Sequence, residues 1–423
     1  MKSLKIVLFV LMSFILVIAA GCSSKSGGDS NSEGKKVVTF WDLRIDYEKE
    51  WTEKVIKEYN ESQDEVVIEY KSINQSDYMT TALPVAFANN EGPDIFNISP
   101  GDFTKYAETG IMADLNPYFP EGAKEDFQEA AIDAVTIDGK VLALPYESEL
   151  VGLYYNKKML DDAGVEVPKT WEELMVAAEK LTTDEVSGLV LPQEKDAYLN
   201  FIFYPFLWQN GGSVLNEDGT ESTFDSPETA EALDFWGSFF QKGYAPSQTP
   251  KGSSDIGNLG DGTAAMQVAG TWAIATIEAD YSDLDIGVAP LPIPEGGQPK
   301  TVAGGWKLAV NANSDYVKEA AEFIMWVMAE DPSRPLEWAT EAKFAYPARN
   351  SVIEAGKEIY NKGLRKVFTE EMYDTAIPEP FYGPEIVEAI GEGLQQVMFG
   401  NAKGTDVAKE VDAKIQEALD SKK

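Results

Sequence analysis

VVTFW at residues 37–41, EVVIEY at 65–70 and DIFNI at 94–98 are three short apolar runs typical of buried strands. After the first run, apolar residues recur every four positions, as on one face of a helix: Tyr47, Trp51, Val55 and Tyr59. A second helix is predicted at residues 78–89, before the third run. This β-α-β-α-β order predicts an α/β fold with an open, mostly parallel sheet and helices on both faces. Ligands of such sheets bind outside the carboxyl ends of the strands.

The rest of the chain continues the alternation of strands and helices. TIDGKVLALP at residues 136–145 predicts a hairpin with Asp138 and Gly139 at its turn. TWEE at residues 170–173 has the spacing of a capping box that begins a helix. Further elements are predicted as a helix at 227–241, strands at 264–268, 286–291 and 307–310, and at least five helices beyond residue 315.

The N-terminus has the layout of an export signal. Lys2 and Lys5 precede an apolar run at residues 6–20, which is shorter than the roughly 20 residues that span a bilayer. The only cysteine, Cys22, follows Ala19, Ala20 and Gly21, in a pattern that resembles a bacterial lipobox. The resemblance implies cleavage after residue 21 and a lipid on Cys22 that anchors the protein to the membrane. Residues 22–35 contain SSKSGGDSNSEG, which predicts a flexible tether.

Composition excludes several classes of protein. The 423 residues carry a formal net charge of −36, which repels nucleic acid. The chain has no histidine and one cysteine, so catalytic sites and metal centres that need those side chains are excluded. We expect no cofactor and no metal, and only carboxylate, serine or lysine chemistry would remain for an enzyme.

Six segments, taken together and in order, resemble the family 1 extracellular solute-binding proteins of ATP-binding-cassette importers, the group that contains maltose-binding protein. They are GPDIFNISPGDFTKYAETGIMADL (92–115), GKVLALPYESELVGLYYNKKML (139–160), PKTWEEL (168–174), LWQNGGSVL (207–215), GDGTAAMQVAGTWA (260–273) and GVAPLPIPEGGQPKTVAGGWKLAV (287–310). The resemblance implies a two-lobed type II periplasmic-binding-protein-like fold with the ligand cleft between the lobes. Each lobe would be an open, mostly parallel sheet flanked by helices.

The same resemblance implies domain boundaries, a function and partners. Lobe one would comprise residues 36–147 and 288–328, and lobe two residues 148–287 and 329–423. The protein would be a monomer anchored to the cell membrane, on its extracellular face or its periplasmic side. It would capture a carbohydrate, an oligosaccharide in preference to a monosaccharide, by closure of the lobes, and it would deliver this ligand to the importer's permease without being an enzyme.

Sugar chemistry directs attention to aromatic residues in loops, because a pyranose has apolar C–H faces that pack on flat rings. Trp272 follows a glycine in AGTWA, and Trp306 follows two glycines in AGGWK. Tyr382 in PEPFYGPEI and Trp41 at the end of the first strand are further candidates, and each could instead be a core residue. Three other tryptophans lie in helical apolar patterns and are predicted to be core: Trp51, Trp236 and Trp326.

Polar candidates would bind the sugar hydroxyls. Glu147 and Glu149 share one face of an extended segment beside Tyr146, where the alternative is a solvated hinge. The other candidates are Arg44 and Asp46 after the first strand, Asp102 after the third strand, and Asn200 in a helix. Arg349 could make a bidentate contact or a structural ion pair, of which we favour the ion pair, and we expect Asp261 to be structural.

Three alternatives stay open at this stage. A polyamine or another non-sugar solute would suit an acidic cleft. A secreted glycosidase could use Glu147 with Glu149, but two carboxylates on one face of a strand cannot flank a bond from opposite sides. An adhesive lipoprotein would bind no glycan at all.

Overall fold

The computed structural model describes residues 34–421 of the chain. The predicted signal peptide at residues 1–21, the lipid site Cys22 and nearly all of the predicted tether therefore lie outside the described residues. Within residues 34–421, no helix has the length and apolar character needed to cross a membrane.

The strands are β1 Lys36–Asp42, β2 Val66–Ser72, β3 Ile95–Ile98, β4 Thr136–Ile137, β5 Lys140–Val141, β6 Leu144–Pro145, β7 Glu147–Asn156, β8 Met266–Gly270, β9 Ile286–Ala289, β10 Thr301–Gly304, β11 Lys307–Val310, β12 Tyr346–Pro347 and β13 Ala376–Pro378. The α-helices are α1 Asp46–Ser62, α2 Gln75–Asp77, α3 Leu83–Ala88, α4 Pro100–Glu108, α5 Ala123–Asp126, α6 Glu129–Asp133, α7 Lys157–Asp162, α8 Trp171–Leu181, α9 Ala197–Gln209, α10 Pro227–Gln241, α11 Gly257–Gly260, α12 Ala273–Asp280, α13 Val317–Met325, α14 Ser333–Glu337, α15 Asn350–Tyr360, α16 Arg365–Val367, α17 Pro384–Phe399 and α18 Gly404–Ser421. Single π-helical turns occur at Tyr78–Ala82, Trp326–Glu330, Trp338–Ala342 and Phe368–Met372, and 3₁₀ turns at Asn116–Tyr118 and Tyr373–Thr375.

The first sheet has the strand order β2-β1-β3-β11-β6. β1 runs parallel to β2 and β3, as the β-α-β-α-β pattern predicts, whereas β11 is antiparallel to both of its neighbours. Its core contains the predicted strand residues Val38 and Phe40 together with Trp51 of α1. The carboxyl ends of β1 and β3 lie next to each other at one edge of this sheet.

The second sheet is built around the long strand β7. β8, β9, β10 and β12 are all antiparallel to β7, and β13 is parallel to β10. The α/β class is confirmed, but the sheets are mixed where we expected mostly parallel strands. Antiparallel pairing arises here because strands of widely separated segments return along β7, which no local pattern encodes.

Two local predictions are confirmed by side-chain and backbone geometry. Thr170 and Glu173 form the predicted capping box of α8. Asp138 and Gly139 have φ values of 50° and 76°, which a two-residue hairpin turn requires, and β4 pairs with β5 around them. The hairpin is shorter than predicted, because β6 leaves it to pair with β11.

The chain passes between the two sheets at three places. β6 ends in the first sheet at Pro145, and β7 begins in the second sheet at Glu147. β10 lies in the second sheet and β11 in the first, so the next passage is at Gly305 and Trp306. The third passage follows Ala342, which packs in the first core, and precedes Tyr346, which packs beside β7.

These passages suggest limits for the lobes that differ from the expected ones. β10 lies within the segment 288–328 that we assigned to lobe one, yet it pairs with β7. Trp338 lies beyond residue 328 but packs in the first core. We therefore propose that the lobes exchange near residues 146, 305 and 344.

Candidate ligand-binding site

A cavity lies between the two sheets and encloses about 1030 Å³, open solvent at its mouth included. On the side of the first sheet, its lining comes from the residues that follow β1 and β3, among them Arg44 and Ser99. On the side of the second sheet, the lining comes from the start of α9, from Trp272 and from α12, which begins at the next residue. The cavity is thus at the carboxyl ends of parallel strands, where open α/β sheets bind ligands.

An aromatic wall formed by Tyr198, Phe201 and Trp272 borders the cavity on the side of the second sheet. The ring of Trp272 lies 6.0 Å from that of Tyr198 and 6.4 Å from that of Phe201. Its indole Nε1 donates to the carbonyl oxygen of Ser254 at 3.2 Å, which fixes the ring plane. A Cβ atom at Gly270 would lie 1.9 Å from this ring, so glycine is needed for the ring to fit.

Trp306 lines the cavity at the second passage between the sheets. Gly305 before it has a φ of 115°, and a Cβ atom there would lie 2.5 Å from the carbonyl oxygen of Glu147. Only glycine allows that close approach. The guanidinium carbon of Arg44 lies 5.8 Å from the Trp306 ring centre, so the ring bridges the aromatic and charged parts of the cavity.

A charged floor formed by Arg44, Glu147, Glu149 and Lys343 closes the cavity. Glu147 accepts hydrogen bonds from Arg44 at 2.9 Å and from Lys343 at 3.2 Å. It also accepts from the indole of Trp338 at 2.9 Å and from the backbone amide of Trp306 at 3.1 Å. Burial alone would raise the pKa of Glu147, but Arg44 and Lys343 lower it to about 2. Glu147 therefore stays ionised and connects all three passages.

Glu149 has a different environment although it is only two residues away. It lines the cavity, 4% of it is exposed, and its carboxylate pairs with Lys343 at 2.7 Å. Burial raises the pKa of Glu149 to about 7, with Lys343 opposing that rise. Glu379 also lines the cavity, and burial raises its pKa to about 8 despite the opposing charge of Lys307. Two carboxyl groups at the cavity surface thus titrate near neutral pH.

Five of the sequence candidates lie at the cavity surface: Arg44, Asp46, Glu149, Trp272 and Trp306. Two more lie directly behind it. Glu147 holds Arg44, and Tyr146 accepts a hydrogen bond from Arg44 while donating to Asn97. These two side chains orient Arg44 from beneath.

Four candidates lie away from the lining of the cavity. The ring of Trp41 faces Lys71, with its ammonium 4.2 Å from the ring centre, and Tyr382 packs against Tyr204. Asn200 is buried and donates to the carbonyl of Val387 at 2.9 Å, which links α9 to α17. Asp102 lines an adjoining recess between α4 and the start of α17, and this recess shares Met79 and Ala197 with the cavity.

The remaining sequence interpretations concern residues outside the site. Arg349 forms the expected ion pair, with its Nε 2.8 Å from Asp126. Asp261 pairs with Lys251 at 3.0 Å on the surface. Trp51 and Trp236 are buried in the cores, and Trp326 is partly buried against the first one.

Lining residues that sequence reasoning missed include Glu48, Tyr198, Phe201, Lys343 and Glu379. Two of them carried a usable signal. Glu48 stands four residues after Arg44, the spacing of a helical ion pair, and Lys343 is a lone charge in the apolar run AKFAY. Tyr198 and Phe201 were hidden in a helix that is apolar on all sides.

The comparisons with known proteins agree with this geometry. A family model for the bacterial extracellular solute-binding protein matches residues 45–333. The maltotriose-binding protein of Pyrococcus abyssi (strain GE5 / Orsay) is 31% identical over 256 residues, which are 59% of this chain and 53% of that protein. The maltodextrin-binding protein MdxE of Bacillus subtilis (strain 168) is 28% identical over 93% of this chain and 91% of its own length.

Among solved structures, an ABC transporter solute-binding protein from Thermotoga lettingae, bound with α-D-tagatose, has a TM-score of 0.80 to this chain. The match covers 91% of this chain and 100% of that one at 24% identity, so it bears on the fold alone. It confirms the two-lobed architecture with the cavity between the lobes. With the family model matching more than half of its length, the chain belongs to the bacterial extracellular solute-binding proteins.

Proposed function

We propose that this protein captures a carbohydrate, preferably an oligosaccharide, and delivers it unchanged to the permease of an ABC importer. The observation that carries the proposal is the aromatic wall facing a charged floor across one cavity. The relatives named for maltotriose and maltodextrin binding support the same ligand class. The family supports the role in import, and its members named above are binding proteins.

The chemistry of the cavity suits a sugar. Trp272 and Trp306 would pack on the C–H faces of pyranose rings, and Arg44 and Glu149 would bind hydroxyl groups. Glu147 and Tyr146 would act through Arg44 without touching ligand. Asp102 would meet only a ligand long enough to enter the adjoining recess. We assign Trp41, Asn200 and Tyr382 to packing.

Closure of the lobes would be the mechanism of capture. A ligand that touches Trp272 on one lobe and Arg44 on the other gains contacts in the closed form that the open form lacks. It therefore shifts the population towards closure by its difference in affinity for the two forms. The hinge would lie at the three passages that meet around Glu147.

The family and the N-terminal sequence support a location outside the cell membrane. The family is extracellular, and we propose that a lipid on Cys22 anchors the protein as a monomer to the outer face of the membrane. Replacing Cys22 with serine should release the protein into the medium, measured by immunoblotting of cell and medium fractions. Equal retention of both forms on the cells would contradict the anchor.

A thermal-shift and calorimetry panel tests the function. The purified mature protein is mixed with maltotriose, mannotriose, N,N′-diacetylchitobiose, the polyamine spermidine and a buffer control. If the protein binds neutral sugars, at least one of the saccharides should raise its melting temperature by mass action. No shift with any saccharide, or a shift with spermidine alone, would contradict the proposal. New reducing ends after prolonged incubation would instead indicate a glycosidase.

A further inference from the structure

The two cations that line the cavity are already occupied by carboxylates. Arg44 is 4% exposed and contacts Glu48 at 2.7 Å, Glu147 at 2.9 Å and Asp42 at 3.7 Å. Lys343 is 1% exposed, and its ammonium lies 2.7 Å from Glu149 and 3.2 Å from Glu147. Each cation therefore has several anionic partners before any ligand enters.

Glu48 is the partner that the two cations share at the surface of the cavity. One oxygen, Oε2, lies 2.7 Å from Arg44 Nη1 and 3.5 Å from Lys343 Nζ. Its side chain is 18% exposed, whereas those of Glu147 and Glu149 are almost completely buried. Glu48 thus stands between the entering ligand and both positive charges.

The mouth of the cavity adds negative charge. Asp46 and Asp255 line the same cavity. Burial raises the pKa of Asp46, and the charges of Asp255 and Asp280 raise it further, so carboxylates from both lobes act on one another at the mouth. An anionic ligand would pass these carboxylates and then meet, in the described part of the lining, cations that are already paired with carboxylates.

We propose that Glu48 makes the cavity selective against anionic saccharides by holding both Arg44 and Lys343 at its surface. The inference rests on the proposed function, since it specifies which saccharides the site accepts. Neutral sugar hydroxyls can still bind to the remaining N–H groups of Arg44 and to Glu149. A carboxylate or phosphate on the ligand would have to displace Glu48 or lie against it, and unpaired like charges in a desolvated site are strongly unfavourable.

The test compares each panel saccharide that binds with its own C6 monocarboxylates, in which one hydroxymethyl group at a time is oxidised. Dissociation constants are measured by calorimetry in 1 M NaCl, where the Debye length is about 3 Å, so the net charge of the whole chain is screened. We expect the carboxylate placed inside the cavity to bind at least about 100-fold more weakly than the neutral sugar. In Glu48→Gln, this ratio should fall about tenfold, since glutamine keeps an acceptor for Arg44 without the charge.

Glu217→Gln is the matched control, because it removes the same charge from an exposed loop and should leave the ratio within about threefold. A ratio below tenfold for every carboxylate of the wild-type protein would overturn the inference, as would an equal ratio in the wild type and Glu48→Gln. Binding of a carboxylate whose neutral parent does not bind would also overturn it. If no saccharide of either kind binds, the proposed function fails, and the inference fails with it.

Discussion

In the charged floor, Arg44 and Lys343 both bind Glu147, whereas on the aromatic wall Trp272 presents a ring to the open cavity. Both regions depend on a glycine that permits close approach, Gly305 for the floor and Gly270 for the wall. They differ in what an entering molecule can still contact.

Because of that difference, loss of the floor should change the free energy of unfolding, and loss of the wall should change the free energy of ligand binding. Breaking a buried ion network leaves uncompensated charges, so its loss acts on folding. Removing a ring that faces a cavity takes away ligand contact while the surrounding helix can remain, so its loss acts on binding. The floor should therefore be measured by stability, and the wall by affinity.

Glu147→Ala should have the largest effect and should act on folding. It removes the shared partner of Arg44, Lys343 and Trp338, and leaves two buried cations with less compensation. We expect the free energy of unfolding to fall by about 3–5 kcal/mol, measured by urea denaturation. Glu217→Ala on an exposed loop is the control and should change it by less than about 0.5 kcal/mol. A loss below about 1 kcal/mol for Glu147→Ala would remove the distinction between floor and wall.

Glu149 lets the floor be probed by pH. Its pKa is 4.5 as an ordinary glutamate and about 7 when folded, so the folded state keeps a proton that the unfolded state releases. This contribution to stability is fully present below pH 4.5 and is lost as the pH rises to about 7. From pH 5 to pH 8, the free energy of unfolding of Glu149→Gln should therefore rise by about 2–3 kcal/mol relative to that of the wild type.

Subtracting the free energy of unfolding of the wild type from that of Glu149→Gln at each pH isolates the titration of Glu149. Glu379 and Asp196, whose pKa values burial raises to about 8 and about 7, titrate in the same range but are present in both proteins. Urea denaturation at several pH values gives the difference curve. A curve that is flat between pH 5 and pH 8 would show that Glu149 is ionised throughout and that Lys343 compensates its burial.

Trp272→Ala tests the wall. We expect the dissociation constant of the saccharide found in the panel to rise about 30-fold, equivalent to about 2 kcal/mol, because the ring would pack on a sugar face. Trp208→Ala is matched, since Trp208 is also a half-buried tryptophan but lies outside the lining of the cavity. Calorimetry should find its affinity within about threefold of the wild type. Equal losses in the two variants would mean that Trp272 acts through general destabilisation.

The sequence predicted the elements better than it predicted the site. Local patterns gave α10 at residues 227–241 and β11 at 307–310 with the bounds that the structure has, because hydrophobic period and caps are encoded within a few residues. Trp272 and Trp306, which line the cavity, were candidates because glycines precede them in the sequence. The pairing of strands with β7 joins segments that are far apart in sequence, so it left no local signal.

The pairing of residues within the charged floor could not be predicted for the same reason. Lys343 meets Glu147 across 196 residues, and Arg44 meets Glu147 across 103. Conversely, Asn200 and Tyr382 looked like polar and aromatic site residues, yet packing against Val387 and Tyr204 turns them away from the cavity. The sequence shows which residue types could bind a ligand, but only the fold determines which of these side chains reach the cavity.

The smallest effect should come from the mouth, where floor and wall are linked by a hydrogen bond between the two lobes. Tyr47 of α1 donates to Asp280 of α12 at 2.9 Å, and both side chains are accessible to solvent. Tyr47→Phe removes that bond only, so the free energy of closure should change by about 0.5–1 kcal/mol. The dissociation rate of bound saccharide, measured by stopped-flow tryptophan fluorescence, should rise by about two- to fivefold, because opening precedes release.

Tyr118→Phe, which removes a hydroxyl from the turn Asn116–Tyr118, should leave the rate unchanged. If Tyr47→Phe also leaves the rate unchanged, the lobes are held together by the ligand and the floor alone, and the mouth contributes nothing to capture.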